Sequence, residues 1–327
     1  MIQGRYKMTN IKDKKGQIIT VDEIKWLCEE HDLGRFKSII RVLNSSANTN
    51  ILVATDLGKF VLRFITDPAP NIKERMNYIE NTVSILKQAS LPVLNAVRNK
   101  FGDLFSQVNN RVVQVHPYID ANKFNFDDIQ IKSSAKILKK FHTVLKSQKP
   151  GPLPSYSIHP SPENLQTKFK HLYKNHHLKS KSSLSRIKNL YSRISKQWEG
   201  VDKNSLVETI IHDDWHPNNQ LYHSDGTVAC ILDFDGIQRE KRIYDVGYAV
   251  YTLYSMSHHK KGTKSSKIFL NAYGELTYEE QKHLSLVVAS VALFFIILFP
   301  DKAEKRLRRR GLLINHLLSE KGSEFFR

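Results

Sequence analysis

Short runs that alternate hydrophobic and polar residues dominate the first third of the chain and are typical of half-buried β-strands. The runs are FKSIIRVL (36–43), NILVATD (50–56), FVLRFI (60–65), DLFSQVN and RVVQVHPYI. A helix is predicted before them, because Thr20 suits its N-cap, Glu23 completes a capping box and Gly34 stops it. A second helical pattern runs from Ile72 to Ala89. Together these elements predict a small, strand-rich α+β domain.

The hydrophobic period becomes helical beyond this region. Helical patterns cover residues 126–149, most of 160–199 and most of 245–327. Between them, VETII, QLY and VACILDFD are typical of short strands, with a turn at HSDGT. We therefore predict an α+β fold in two parts: a small, β-rich N-terminal lobe over residues 1–117 and a larger, mostly helical C-terminal lobe over residues 118–327.

The most apolar segment is LSLVVASVALFFIILF, residues 284–299. It falls short of the roughly 20 residues that span a bilayer, so a buried helix in the helical lobe is predicted. The alternative is a membrane-embedded or membrane-surface segment, supported by the basic run that follows Pro300. The N-terminal stretch MIQGRYKMTNIKDKKGQ has no apolar core and shows no secretory signal.

The chain carries a formal net charge of +18, which favours an anionic partner: a nucleotide, a phosphorylated substrate, nucleic acid or an acidic membrane. The basic residues are spread along the sequence, and no zinc-finger or RNP-type pattern occurs. Cys28 and Cys230 are the two cysteines, which argues against a disulfide framework and against a cysteine-based zinc site. A reducing, cytoplasmic setting is therefore expected.

The segment IIHDDWHPNNQLY, residues 210–222, carries the groups that phosphoryl transfer needs. His212, Asp214 and Asn219 fit the spacing H-x-D-x-x-x-x-N. Asp233 follows at the end of the next predicted strand. Because the transition state of phosphoryl transfer is highly charged, catalysis rests on positioning and charge neutralisation. Asp214 suits a base beside the attacking hydroxyl, and Asn219 and Asp233 offer the oxygen ligands that Mg²⁺ prefers.

The text HDDWHPNNQLY…ILDFD resembles the catalytic loop and the metal-binding segment of the aminoglycoside phosphotransferase family, which also contains choline kinases and type II homoserine kinases. Other segments resemble the family in the same order along most of the chain: NSSANTNILVATDLGKFVLRF, IENTVSILKQASLPV, QVHPYID, ILKKFHTVL and RIYDVGYAVY. They correspond to the first hairpin with the third strand, the αC helix, the hinge, the helix after it, and the segment after the metal-binding acid. The resemblance implies a two-lobed, protein-kinase-like fold with ATP, or GTP in its place, and Mg²⁺ as cofactors.

In the N-terminal lobe the resemblance implies a set of nucleotide-binding residues. Arg63 takes the place of the third-strand lysine that holds the α- and β-phosphates, and it offers a planar fork instead of a point charge. Glu80 is the partner expected for it from the αC helix, with Glu74 as the other candidate. The remaining residues implied are Ser45, Ser46 and Asn48 in the phosphate-covering loop, and the backbone of Val115 and Pro117 where adenine would bind.

In the C-terminal lobe the resemblance makes Asp214 the catalytic base and assigns Mg²⁺ to Asn219 and Asp233. It assigns Asp235 to a second metal ion or to the substrate. It also implies that Asp245 fixes the catalytic loop.

Two positions depart from the family's usual text, since Asp213 and Asn218 stand where glycine is common. Asp213 is expected to shift the pKa of the base or to contact a cationic substrate. His212 and His216 are expected to orient the loop through hydrogen bonds, because Mg²⁺ prefers oxygen ligands. Trp215 would line the substrate site or pack in the core.

These assignments predict an ATP-dependent kinase that transfers the γ-phosphate to a hydroxyl of a small molecule such as an aminoglycoside, homoserine or another amino alcohol or sugar. Neither nucleic acid nor a membrane is required as a partner, and a monomer or homodimer is expected. Two alternatives stay open: a protein Ser/Thr kinase on the same fold, and a non-catalytic nucleotide-binding scaffold whose basic helices bind nucleic acid or membrane. The intact Asp214, Asn219 and Asp233 argue against the scaffold.

Overall fold

The computed structural model of the protein describes residues 11–43, 45, 47–175, 181–256, 259–299 and 302–325. The chain divides into two compact units, and each unit is made of two stretches of sequence. The first unit comprises Met1–Ser84 and Val93–Asp120, and the second comprises Ile85–Pro92 and Ala121–Arg327. The first is rich in strands and the second in helices, as the predicted α+β fold requires.

The first unit is built on a five-stranded antiparallel sheet. In chain order the strands of this unit, including two that lie outside the sheet, are β1 (Ile11–Lys12), β2 (Ile18–Ile19), β3 (Phe36–Leu43), β4 (Thr49–Thr55), β5 (Lys59–Ile65), β6 (Ser106–Val108) and β7 (Arg111–Pro117). The short β1 and β2 form a separate hairpin, and the other five pair in the order β3-β4-β5-β7-β6. The alternating sequence runs thus become strands within one or two residues of the predicted bounds for the central three.

A helix with the predicted capping box covers one face of this sheet. In α1 (Val21–Glu30) the Thr20 hydroxyl accepts from the Glu23 backbone N–H at 3.2 Å, and the Glu23 carboxylate accepts from the Thr20 N–H at 2.7 Å. Apolar residues on the inner side of α1 join the sheet in one core, and these are Ile24, Leu27, Cys28, Ile51, Val53, Leu62, Val113 and Val115. The second helix, α2 (Ile72–Gln88), starts in this unit and contributes Met76 to a smaller core.

The second unit consists of helices around two small two-stranded sheets. Its helices are α3 (Asp128–Val144), α4 (Pro162–Asn175), α5 (Lys181–Glu199), α6 (Ile243–Met256), α7 (His259–Tyr273), α8 (Tyr278–Ile297) and α9 (Ala303–Leu317). Its strands are β8 (Glu208–Ile211), β9 (Gln220–Tyr222), β10 (Val228–Ile231) and β11 (Gln238–Lys241). Strand β9 pairs with β10 across the predicted turn at HSDGT, and β8 pairs with β11, a strand that the sequence pattern did not reveal.

The apolar segment near the C-terminus lies in α8, which is buried as predicted. Within the described residues it is the one helix long and apolar enough to cross a membrane, and 78% of its apolar window is buried inside the protein. The helix is longer than the apolar run, since it begins ahead of the run, at Tyr278, and has 20 residues. A capping box between Thr277 and Glu280 sets this start. Burial of this extent is what a core helix of a folded unit requires, and it gives no support to a membrane segment.

Close packing of α6 against α8 fixes the helix that follows the candidate catalytic loop. A β-carbon at Gly247 would lie 2.5 Å from Val287 Cγ1, so glycine permits the two helices to approach at this point. At the start of α6, Arg242 donates to both carboxylate oxygens of the buried Glu280, at 2.8 and 2.6 Å. These contacts hold α6 at a defined position and angle.

Candidate active site

The acidic segment singled out in the sequence forms the connection between β8 and β9, together with the residues that follow β10. Asn219 directly precedes β9, and Asp233 lies two residues after β10 ends. The Leu232 backbone N–H donates to the Asn219 carbonyl at 2.8 Å. This bond holds Asn219, at the end of the β8–β9 connection, beside the residues that follow β10. A metal site shared by Asn219 and Asp233 requires this proximity.

Asp245, in the first turn of α6, holds the beginning of the loop. One carboxylate oxygen accepts from the His212 N–H at 2.7 Å, and the other accepts from the Asp213 N–H at 2.9 Å. His142 Nε2 donates to the same carboxylate at 3.0 Å, and burial lowers the pKa of His142, which keeps the ring neutral. Asp245 is 1% exposed. The role that the resemblance implied for Asp245 is thus present in the structure.

The two histidines of the loop use their ring nitrogens for hydrogen bonds within the loop and its neighbours. His212 Nδ1 accepts from the Asp214 N–H at 3.3 Å, and Nε2 donates to the Leu232 carbonyl at 3.0 Å. His216 Nδ1 accepts from the Asn218 N–H at 3.1 Å. The predicted orienting role of both histidines agrees with these contacts.

The carboxylate of Asp214 is held at both oxygens and stays partly open to solvent. Tyr248 Oη donates to Oδ1 at 2.7 Å, and Asn219 Nδ2 donates to Oδ2 at 2.8 Å. The side chain keeps 21% of its surface exposed. Burial raises the pKa of Asp214, an effect that Asp233 reinforces and that His216 and Tyr248 oppose. A carboxylate whose pKa is moved towards neutrality is a better proton acceptor at working pH.

Tyr248 is the residue of this site that the sequence motifs did not reveal. It lies on α6 three residues after Asp245, so both side chains point to the same side of the helix. The residue is 5% exposed, and its hydroxyl donates to the carboxylate of Asp214. The available signal in the sequence was its i, i+3 spacing from Asp245, the aspartate that anchors the loop.

Asp213 does not face a substrate, so that part of the expectation was wrong. Its backbone is left-handed, with φ 67°, and its side chain is 2% exposed. Oδ2 accepts from Ser157 Oγ at 2.9 Å, the Ile158 N–H at 3.0 Å and Gln238 Nε2 at 3.0 Å. His159 Nδ1 lies 3.2 Å from Oδ1. The carboxylate therefore ties residues 157–159 and β11 to the catalytic loop.

Charge pairing between Asp213 and His159 stabilises this tie. Burial alone would lower the pKa of His159, but the hydrogen bond and the negative charge of Asp213 raise the pKa above its ordinary value.

Trp215, on the same loop, is 1% exposed, and its Nε1 donates to Ser134 Oγ at 3.1 Å. Of the two roles weighed for Trp215, the structure supports core packing.

The residues predicted to hold a metal ion offer only oxygen ligands, which fits Mg²⁺. Asn219 Nδ2 is committed to Asp214, so its amide oxygen is the atom that could bind a cation. Asp233 has a left-handed backbone, with φ 64°, a conformation that non-glycine residues seldom adopt outside functional or special turns. Asp235 lies in the single turn Phe234–Gly236. In the described ranges no group of three or more His, Cys, Asp or Glu is arranged to hold a metal.

Arg63 and Glu80 both lie in the first unit. Arg63 is half-buried on β5, in register with Asn50 of β4 and Gln114 of β7. Glu80 lies on α2, where its Oε1 accepts from Asn95 Nδ2 at 2.8 Å. Their pairing around a nucleotide stays a prediction.

The loop between β3 and β4 is closed by its own polar groups. Ser45 Oγ accepts from the Asn48 N–H at 3.2 Å. Asn48 is 5% exposed, and its Oδ1 accepts from the Thr66 N–H at 3.1 Å. Ser46 lies outside the described residues. Asn48 thus holds the loop to the end of β5, and its contact with a phosphate stays a prediction.

The backbone expected at adenine lies on β7. The Val115 carbonyl accepts from the Val97 N–H at 2.8 Å, and the side chain of Val115 belongs to the sheet core. Pro117 ends the strand opposite Phe60 of β5. The use of these groups by adenine stays a prediction.

The chain is similar to known phosphotransferases in sequence profile and in fold. The profile of the phosphotransferase enzyme family matches residues 39–282. A search of curated protein sequences finds no match. An amicoumacin kinase solved with AMP-PNP, Ca²⁺ and Ami superposes with a TM-score of 0.69 at 13% identity, over 89% of this chain and 92% of that one.

Two further solved structures give the same result. A microcompartment-associated aminopropanol kinase has a TM-score of 0.67 at 16% identity, covering 88% of this chain and 93% of its own. A spectinomycin phosphotransferase in complex with ADP and spectinomycin has a TM-score of 0.62 at 12% identity, covering 95% of this chain and 94% of its own. At these identities the likeness shows the fold, and it confirms the predicted kinase-like class. Because the family profile spans more than half of the sequence, the chain belongs to the phosphotransferase enzyme family.

Proposed function

We propose that this small-molecule phosphotransferase moves the γ-phosphate of ATP to a hydroxyl group, with Asp214 as the base. The observation that carries the proposal is the environment of the Asp214 carboxylate. It is held at both oxygens by Tyr248 and Asn219, it is partly open to solvent, and its pKa is raised by burial. Such a group is fixed in direction and able to accept a proton.

The proton transfer that follows from this geometry is direct. Each carboxylate oxygen offers two lone-pair sites, so one hydrogen bond at each oxygen leaves room for an incoming hydroxyl. As the acceptor oxygen bonds to the γ-phosphorus and the bond to the β-phosphate oxygen breaks, the hydroxyl proton passes to Asp214 and ADP leaves. Asp245 keeps this carboxylate in place by holding the two backbone N–H groups that precede it.

Mg²⁺ would be held by Asn219 and Asp233, with Asp235 as a further ligand or a substrate contact. Held there, Mg²⁺ would supply positive charge that neutralises the phosphate groups. The proximity of Asp233 to the base, evident in its effect on the pKa of Asp214, supports a common site. Neutral Asn219 adds an oxygen ligand without adding negative charge, which matters beside two carboxylates.

ATP is the expected donor, since two of the similar structures hold AMP-PNP and ADP. In the first unit, Arg63 would hold phosphate oxygens through its planar guanidinium, and Glu80 would orient that side chain. The acceptor is a small molecule with a free hydroxyl. The acceptors to test first are those that the names of the similar enzymes give, which are amicoumacin, spectinomycin and aminopropanol.

An ADP-release screen over amino alcohols, amino sugars and aminoglycosides tests the proposal. We expect Mg²⁺-dependent ADP release with at least one class, and a higher melting temperature with ATP and Mg²⁺ together than with either alone. No release with any acceptor and no melting shift with ATP or GTP would favour the scaffold. Phosphate incorporation into casein, with none into the small molecules, would favour a protein kinase.

Tyr248→Phe tests the hydroxyl that the sequence motifs missed. The hydrogen bond from Tyr248 lowers the pKa of Asp214, so its loss raises that pKa further. A base with a higher pKa is protonated up to a higher pH, and the acidic limb of the kcat/KM profile should therefore move to higher pH. At the acidic end kcat/KM should fall several-fold, with little change on the plateau.

Tyr278→Phe is the matched control, since Tyr278 is 76% exposed at the start of α8. Its pH profile should coincide with that of the wild type. An unmoved acidic limb in Tyr248→Phe, measured with the acceptor found in the screen, would show that Tyr248 does not tune the base.

A further inference from the structure

His159 is the charged partner of the buried Asp213 within the helical unit. Its Nδ1 lies 3.2 Å from Asp213 Oδ1, and the same nitrogen donates to Ser157 Oγ at 2.5 Å. The Ser157 hydroxyl in turn donates to Asp213 Oδ2 at 2.9 Å. The ring of His159 stacks on Tyr244 of α6 at 5.5 Å and 13°, and the residue is 7% exposed. His159 is thus held between α6 and the catalytic loop.

The Asp213 carboxylate has no other charged partner in the described part of the chain. Its Oδ2 accepts from Ser157, Ile158 and Gln238, which are all neutral donors. Its Oδ1 has no hydrogen-bond partner among the described residues, so the charge of His159 is what offsets the charge at this oxygen. A buried carboxylate without a counter-charge is unfavourable. Loss of the charge on His159 would therefore leave Asp213 in an unfavourable state.

The other titratable groups around His159 favour its charged form or are paired elsewhere. Those facing it are three carboxylates, a lysine that pairs with one of them and a tyrosine: Glu240 of β11, Asp245 and Tyr244 of α6, and Glu163 of α4 with its partner Lys203. Nearby basic residues pair with other carboxylates, Arg239 and Lys241 with Glu208, and Arg242 with Glu280. Burial opposes a charge on His159, but Asp213 and the surrounding carboxylates raise its pKa above the ordinary value. The ring therefore keeps its proton to a higher pH than a free histidine.

The backbone at Asp213 offers a way to remove the pair without disturbing the turn. Its φ of 67° suits glycine, which is common at this position in the family, and an L side chain is strained there. Asp213→Gly therefore relieves the strain and removes the carboxylate in one step.

We propose that His159 is a positioning residue for the base, and that its proton controls whether the catalytic loop is held in its active position. The proposal rests on the proposed function and concerns the regulation of that same site. With the proton in place, His159 and Asp213 join residues 157–159 to the peptide that leads into Asp214. When the proton passes to solvent, the Asp213 carboxylate loses its counter-charge while the surrounding carboxylates remain. The carboxylate then moves towards water, and because Asp214 is the next residue, the base moves with it.

The pH dependence of this control has a definite sign. Because the folded-state pKa of His159 is raised above its unfolded value of about 6.5, the stabilisation by the pair is complete below the unfolded pKa. It is lost as the pH rises through the folded-state pKa. We therefore expect kcat to fall on the alkaline side, opposite to the acidic limb set by Asp214.

Variants of the two residues test the proposal with the acceptor found in the screen. His159→Gln has no charge at any pH, so its kcat at neutral pH should already be lowered by about tenfold, with KM for ATP unchanged. Asp213→Gly no longer needs the proton, so its kcat should stay level at the alkaline pH where that of the wild type falls. Adding Asp213→Gly to His159→Gln should restore kcat to the level of Asp213→Gly alone. His223→Gln, in the exposed turn after β9, is the control and should follow the wild type at every pH.

Two kinetic results would overturn the proposal and leave the kinase function standing. One is an alkaline fall in kcat that is the same in the wild type and in Asp213→Gly. The other is a His159→Gln variant with the kcat of the wild type.

Urea unfolding gives a second readout that needs no turnover. From about pH 6 to about pH 9, the unfolding midpoint of the wild type should fall relative to that of the double variant. If the double variant does not fold, Asp213→Gly serves as the reference, because it also lacks the pair. A difference in midpoint that does not change with pH would overturn the proposal. Absence of ADP release with every acceptor would count against the proposed function, and a pH-dependent difference would then still support proton control of the pair.

Discussion

Asp214→Asn is expected to lower kcat by about 10²- to 10⁴-fold, the range that a positioned general base contributes. Asparagine is nearly the same size and keeps one oxygen to accept from Tyr248 or Asn219, so the loop should retain its shape. The variant cannot take up the hydroxyl proton. Binding of ATP and Mg²⁺, measured by the melting shift, should persist. Single-turnover ADP release with the acceptor found in the screen gives the rate.

The same variant should be more stable than the wild type at neutral pH. Burial raises the folded-state pKa of Asp214 above its unfolded value. The stability associated with this group is therefore complete below the unfolded pKa and is lost as the pH rises through the folded pKa. Asparagine carries no charge and escapes that loss. The gain in melting temperature should be present at neutral pH and disappear in acid.

Asp225→Asn is the matched carboxylate-to-amide control, since Asp225 lies exposed in the turn between β9 and β10 and accepts from the Thr227 N–H at 2.9 Å. It should leave kcat unchanged. If Asp214→Asn keeps more than about a tenth of the wild-type kcat, Asp214 is not the base.

The sequence was sufficient to predict the parts of this protein that depend on local pattern. Alternation of apolar and polar residues predicted β3, β4 and β5, and Thr20 with Glu23 predicted the start of α1. Asp214 and Asp245 were predicted from their place in ordered motifs, and the structure shows Asp245 bonded to the loop. For the strands, the helix start and Asp214 the cause lies within a few residues, where spacing carries the information, whereas the role of Asp245 came from the family resemblance.

The contacts missed from the sequence join residues that are far apart along the chain. Asp213 meets Ser157 across 56 positions and Tyr248 meets Asp214 across 34. Strand β11 has the polar sequence QREK, which lacks the apolar alternation of a half-buried strand, and it forms by pairing with β8. The role of Asp213 was also missed, because its carboxylate is buried against Ser157, Ile158 and Gln238, none of which is near it in sequence.

The stacking of Tyr248 on Phe295 is a further contact of this kind. No spacing in the sequence links these two residues, and they meet because α6 packs closely on α8, where Gly247 lies against Val287.

Asp245→Ala is expected to lower the free energy of unfolding by about 3–5 kcal/mol, the range for removal of one partner from a buried charged network. Alanine leaves the His212 and Asp213 N–H groups and His142 Nε2 without their acceptor in a site that is 1% exposed. Because these N–H groups set the direction of the chain into Asp214, kcat should fall together with stability. Urea unfolding followed by far-UV circular dichroism measures the first effect, and ADP release measures the second.

Asp245→Asn separates the hydrogen bonds from the charge. Its single oxygen can accept from only some of the three donors, so we expect a loss of stability between that of the wild type and that of Asp245→Ala. Asp225→Ala, which removes an exposed carboxylate from a surface turn, should change the free energy of unfolding by about 0.5 kcal/mol or less. If Asp245→Ala were no less stable than Asp225→Ala, the loop would be held by other contacts. The position of Asp214 would then depend on Tyr248 and Asn219 and not on Asp245.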